Sequence, residues 1–99
     1  MEQQVAVKKD FLGMEMWFLG EMLHREDGPA VIHQNGIKEW WQNGKRHRED
    51  GPAVENVNDL QWWKHGLLHR EDGPAIIYNK PGEGIQEFWF LEGIRVYKD

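Results

Sequence analysis

Cysteine is absent from this chain, and with it go disulfide frameworks, thiolate nucleophiles and Cys-based zinc sites. An excess of basic charge is absent too. The 12 Lys and Arg stand against 17 Asp and Glu, a net charge of -5 that opposes nonspecific attraction to duplex nucleic acid or to an anionic membrane. No apolar run approaches a membrane span, and the opening MEQQVAVKKDFLG lacks the apolar stretch that follows the charges of a secretory signal. Together these absences predict a cytoplasmic protein. No serine-nucleophile motif and no glycine-rich phosphate loop occur. What is present is a chain of 99 residues, room for one domain, with six Trp and enough apolar residues to fold.

The chain repeats itself. LHREDGPA stands at residues 23–30 and 68–75, and RHREDGPA at 46–53. Trp17, Trp40 and Trp62 each stand seven residues before His24, His47 and His69, and Trp89 opens a fourth, shortened phrase, EFWFLEGIRVYKD. The sequence therefore parses into a lead-in, residues 1–13, and a single repeat domain, residues 14–99. That domain holds three HREDGPA repeats and a truncated C-terminal capping hairpin, reached through a longer linker, YNKPGEGIQ.

Each unit reads as a β-hairpin, an aromatic run, a two-residue turn and a charged run. Asn43-Gly44 is the strongest turn signal, because a type I′ turn needs φ > 0 at both central residues. Centring there pairs Trp41 with Arg46, Trp40 with His47, Glu39 with Arg48 and Lys38 with Glu49. The same centring pairs Trp17 with His24, Trp62 with His69 and Trp89 with Val96. Asp-Gly-Pro-Ala ends or bends a strand, since Pro donates nothing to a ladder. Ala30-Val31, Ala53-Val54 and Ala75-Ile76 then begin new extended segments, and the Gln-Asn-Gly of 34–36 marks a further turn. The expected fold is all-β, an antiparallel meander of stacked hairpins.

The phrase aromatic-aromatic-x-x-Gly-x-x-His, seen as Trp40-Trp41-Gln42-Asn43-Gly44-Lys45-Arg46-His47 and again from Trp62 to His69, resembles MORN-type repeats, in particular their bacterial and viral variant. The resemblance covers most of residues 14–99. It departs where Arg-Glu-Asp-Gly-Pro-Ala follows the His. It implies an elongated, twisted sheet that serves scaffolding, dimerisation or ligand contact without catalysis. It also implies a bacterial or phage cytosolic setting, such as an inhibitor of a host or competitor system.

Several chemistries can be weighed on the residues. Equivalent His side chains in stacked hairpins recur every two strands, about 10 Å apart, beyond the reach of one zinc with bonds of about 2.0–2.1 Å. His33 and His65 look solitary, so neither a metal nor another cofactor is expected. Three identical copies of His, Glu and Asp do not make the differently tuned pair that acid-base catalysis needs, so no enzyme and no catalytic residue is expected. His24-Arg25, His47-Arg48 and His69-Arg70 could line a ridge for a small anionic ligand such as a nucleotide. Against that, each Arg has acidic neighbours, Glu39 being expected opposite Arg48.

Adjacent aromatics must put one ring on each face of a sheet. Trp17, Phe18, Trp40, Trp41, Trp62, Trp63, Trp89 and Phe90 are thus the candidates for an interface with a protein partner or with a second copy in a homodimer.

Overall fold

A computed structural model describes residues 5–97, and they are all-β, an antiparallel meander without a helix. With no helix there, none is long and apolar enough to cross a membrane. The strands are β1 (Val7–Phe11), β2 (Met14–Leu19), β3 (Met22–Leu23), β4 (Val31–Ile32), β5 (Lys38–Glu39), β6 (Trp41–Gln42), β7 (Lys45–Arg46), β8 (Val54–Asn56), β9 (Asp59–Gln61), β10 (Trp63–Lys64), β11 (Leu67–Leu68), β12 (Ile76–Lys80), β13 (Gly84–Leu91) and β14 (Ile94–Val96). The main sheet runs β1-β2-β4-β5-β8-β9-β12-β13-β14, with β3 also on β2, and β6-β7 and β10-β11 form ribbons beside it.

The expected turns form because their residues admit left-handed backbone. Asn43 and Gly44 have φ of 51° and 77°, and His65-Gly66 and Glu92-Gly93 repeat the pattern. Trp41 pairs with Arg46, Trp63 with Leu68, Phe18 with Leu23 and Trp89 with Val96, while the N–H groups of His24, His47 and His69 bond to the carbonyls of Trp17, Trp40 and Trp62. A further hairpin lies in the lead-in, where Leu12-Gly13 turns β1 back onto β2. The supposed linker YNKPGEGIQ is likewise the end of β12, a turn and the start of β13.

Two expected pairings do not occur. Glu39 lies opposite Val31 and Val54, and Lys38 opposite Ile32 and Glu55, rather than opposite Arg48 and Glu49. The hairpin splits at Trp40, whose carbonyl accepts from His47 while its N–H donates to Ala53 O at 2.7 Å. Beyond His47 the chain leaves, with Arg48 N–H bonding to Trp63 O of the next repeat, and Ala53-Val54 returns to fill the vacated place beside Glu39. Each repeat thus supplies one long strand shared by two rows of partners, a hairpin at one end and the returning Ala-Val strand at the other.

The protein measures 50 × 31 × 18 Å, with a radius of gyration of 14.9 Å, above the about 13 Å of a compact domain of this length. It consists of the main sheet and its two ribbons, with the three Arg-Glu-Asp-Gly-Pro loops folded over Trp17, Trp40 and Trp62. Among the described residues no large side chain is fully buried: the buried aliphatic ones are Ala30, Val31, Ala53, Val54 and Ala75, joined by His24 and His47.

Candidate functional site

Alternation along the strands gives the two faces different characters. On one face the first aromatic of each pair alternates with alanine. Trp17 N–H bonds to Ala30 O, Trp40 N–H to Ala53 O and Trp62 N–H to Ala75 O. The three alanines are fully buried, so the small residues let the large rings and the loops above them settle onto the sheet. Those loops are the Arg-Glu-Asp-Gly-Pro segments. Arg48 lies 3.8 Å from the Trp40 centroid, donates from Nε to Asp50 Oδ1 at 3.1 Å and from Nη1 to Pro52 O at 3.0 Å. Arg25 on Trp17 and Arg70 on Trp62 repeat every contact. A Cβ on Gly51 would stand 3.0 Å from the Arg48 Cζ, so any larger residue there would have to displace the guanidinium.

The repeated histidines couple successive repeats. His24 Nδ1 accepts the Asn43 N–H at 2.9 Å, His47 Nδ1 that of His65 at 3.0 Å, and His69 Nδ1 that of Glu92 at 2.9 Å. An accepting Nδ1 leaves the proton of the neutral ring on Nε2, which faces Glu26, Glu49 and Glu71 respectively. The Lys64 ammonium beside Glu49 holds its carboxyl below the usual carboxylate range, aided against some burial by the His47 hydrogen bond.

The anion candidates are therefore committed within the fold. Each Arg is engaged by carboxylate, carbonyl and ring, and Arg48 also meets Glu55 at 3.0 Å rather than Glu39. Each His spends its acceptor on a neighbouring turn. What the loops offer to solvent is acidic: the side chains of Glu26, Asp27, Asp50, Glu71 and Asp72 are at least 80% exposed. They flank open grooves, one of about 670 Å³ between the second and third loops. Among the described residues no group of three or more His, Asp and Glu could hold a metal.

The opposite face carries the second aromatics, in the order Phe18, Leu23, Trp41, Arg46, Trp63, Leu68, Phe90 and Arg95, cross-strand pairs and their successors along the sheet. Beside this row runs another, Met16, Val31, Glu39, Val54, Gln61, Ile76 and Phe88. The Arg-Glu-Asp-Gly-Pro loops lie on the other side, over Trp17, Trp40 and Trp62. Several polar groups of the open face pair with one another, although the buried Arg46 Nε has no hydrogen-bond partner. Trp41 Nε1 donates to Glu39 at 2.9 Å and Trp63 Nε1 to Gln61 at 2.9 Å, while Arg46 sits 5.2 Å from both Trp centroids.

Burial pushes the Glu39 carboxyl up, but the hydrogen bonds of His33 and Trp41 and the Arg46 charge prevail and hold it below the usual carboxylate range. His33 is thus no solitary residue, its Nε2 standing 2.6 Å from Glu39, and His65 packs on His47 with centroids 4.4 Å apart. The signal that could have located the Glu39 and Gln61 roles is present in the sequence. Where the second aromatic is Trp, the residue two before it is an acceptor, and where it is Phe, that residue is Met16 or Phe88.

The eight aromatic candidates therefore divide. Trp17, Trp40 and Trp62 lie under their Arg loops, whereas Phe18, Trp41, Trp63 and Phe90 line the uncovered face, all of them half-buried. Trp89 opens the last unit opposite Val96, where no Arg loop follows. Comparison with protein-family models, with curated proteins and with solved structures gave no match.

Proposed function

We propose that this chain is a non-enzymatic, cytoplasmic binding protein that uses a MORN-like β-repeat face to take a protein surface, a separate partner or another copy of itself. The observation that carries the reading is an aromatic face that the Arg loops leave uncovered, with its two indole N–H groups and the Glu39 carboxylate already hydrogen-bonded within it. Covering such a face releases water from Phe18, Trp41, Trp63 and Phe90 without stranding an indole N–H or a carboxylate, so the usual penalty for burying polar groups is small. Aromatic and Arg residues at the centre of a patch are the common composition of protein-binding hot spots. The bacterial or phage setting and an inhibitory task rest on the repeat resemblance alone.

The competing reading, sequestration of a small anionic ligand such as a nucleotide, would use Arg25, Arg48 and Arg70, which the fold employs as clamps. A pair of titrations separates the two. Changing those three Arg to Gln should leave protein association nearly intact, while Trp41→Ala or Trp63→Ala should weaken it by about 2 kcal/mol. A stoichiometric nucleotide isotherm that falls steeply with salt and vanishes with the Arg changes would instead establish a ligand-holding ridge.

A further inference from the structure

Resting on that reading, we infer that the occupant of the aromatic face is a second copy of this chain, docked about a twofold axis into a two-layer sandwich. The first argument is the missing layer. Domains bury an apolar face against another packed element, yet here the buried apolar side chains are three alanines and two valines, and no large side chain is fully buried. On the open face Val31 and Val54 are buried, whereas its larger residues Phe18, Trp41, Trp63, Phe88 and Phe90 stay partly exposed. A face that needs covering from the moment the chain folds is best served by a partner present whenever the chain is, which is another copy.

Area permits it. The molecule is flat, 50 and 31 Å along its two longer axes and 18 Å along the third, so its broad side has room for the roughly 800 Å² per partner of a standard stable interface. Two such sheets stacked about 10 Å apart would make an ordinary β-sandwich.

The face is also complementary to itself. A twofold interface sets one row against its own reverse. An axis along the strands, passing between Arg46 and Trp63, turns the eight-residue row end for end. Arg46 then meets the second copy's Trp63, Trp41 its Leu68, Leu23 its Phe90, and Phe18 its Arg95. Both cations of the row fall on aromatic rings, a favourable pairing in a desolvated contact, and no two charges of one sign meet. In the adjacent row the same axis sets Val31 against the second copy's Phe88 and Glu39 against its Ile76, with Glu39 still held by its own Arg46 and His33. The acidic loop residues that give the chain its net charge of -5 lie on the other face, so their repulsion falls outside the contact.

Sedimentation and light scattering of the purified full chain over a wide concentration range test the inference. The expected result is twice the monomer mass of 11.8 kDa. Leu68→Lys should give a monomer. Arg95→Glu, at an exposed position, should weaken the dimer at least tenfold, and Lys45→Glu on the opposite face should not change it. Circular dichroism checks that each variant is folded. A dimer indifferent to both Leu68→Lys and Arg95→Glu overturns the inference. A wild-type chain that stays monomeric throughout also overturns it. In that case the binding face itself would still be decided separately, by whether Trp41→Ala and Trp63→Ala abolish association with a different protein.

Discussion

The guanidinium of Arg48 rests 3.8 Å from the ring centroid of Trp40, and the loop between them closes on itself through Asp50 and Pro52. That relationship explains why one phrase recurs. Arg supplies the lid of the Trp ring, Asp and the Pro carbonyl hold the lid flush, Gly leaves room beneath it, and Ala fits beside the ring on the sheet. Each residue answers to its neighbours in the same loop, so the phrase is a structural clamp made three times.

If the clamp is a unit, its parts should fail together. A Cβ at Gly73 would come within 2.7 Å of Arg70 Cζ, the tightest of the three copies. Gly73→Ala should therefore lift Arg70 from Trp62 and cost about 1–2 kcal/mol in lost cation-π contact and hydrogen bonds. In an Arg70→Gln background the same change should cost little. Urea denaturation of the four chains gives the coupling, and additive losses would show that the glycine serves something else.

The histidine links make a second prediction. His47 is buried, and its Nδ1 is the acceptor for the N–H of His65 in the next turn. His47→Leu keeps the bulk and strands that N–H, at a cost of about 1–3 kcal/mol. His47→Asn, whose carbonyl oxygen can take the place of Nδ1, should recover part of it. Equal denaturation midpoints for the Leu and Asn variants would argue that packing on His65, and not the hydrogen bond, is what the ring contributes.

The sequence made the turns readable and the split strand unreadable, for a definite reason. Asn43-Gly44 and its relatives are local signals, and the Trp40 to His47 register follows from them within a few residues. Whether Glu39 pairs with Arg48 or with Val54 is a competition between a strand continuing its own hairpin and a strand returning from a loop. The Arg48 clamp on Trp40 decides that competition by pulling the chain out of the ladder. Nothing near Glu39 announces it. The hairpin at Leu12-Gly13 was hidden because a leucine at φ of 51° gives no turn signature beyond the glycine that follows. The division of the two aromatic rows was half legible: alternation puts them on opposite faces, but only the loops show which face is already covered.

Acid should test the centre of the open face. Glu39 has a folded-state pKa below that of an unfolded carboxylate, so its charge contributes stability that is fully present above the unfolded value, about 4.3, and is lost as pH falls through the lower folded value. Glu39→Gln removes this contribution. The gap between the wild-type and Glu39→Gln denaturation midpoints should close progressively as pH falls below about 4.3. A gap that persists unchanged to pH 3 would mean that the carboxylate charge is not what His33, Trp41 and Arg46 stabilise.

The last prediction concerns the acceptor two residues before each second-position Trp. Gln61 Oε1 takes the Trp63 indole N–H at 2.9 Å, and Glu39 does the same for Trp41 at 2.9 Å. The first repeat has Met16 with Phe18 and the last Phe88 with Phe90, apolar at both places. The two positions behave as a matched pair, either a donor with its acceptor or two apolar groups. Gln61→Met alone leaves the half-buried indole N–H without its partner, and Trp63→Phe alone leaves the Gln61 oxygen without its donor. Made together, they reproduce the Met16 and Phe18 arrangement. Each single change should be destabilising, and the double change should be less so than their sum, with a coupling of about 1 kcal/mol, the usual net worth of such a bond. Strict additivity would show that the acceptor and the ring are chosen independently, and that the polar groups of this face are not arranged to be covered.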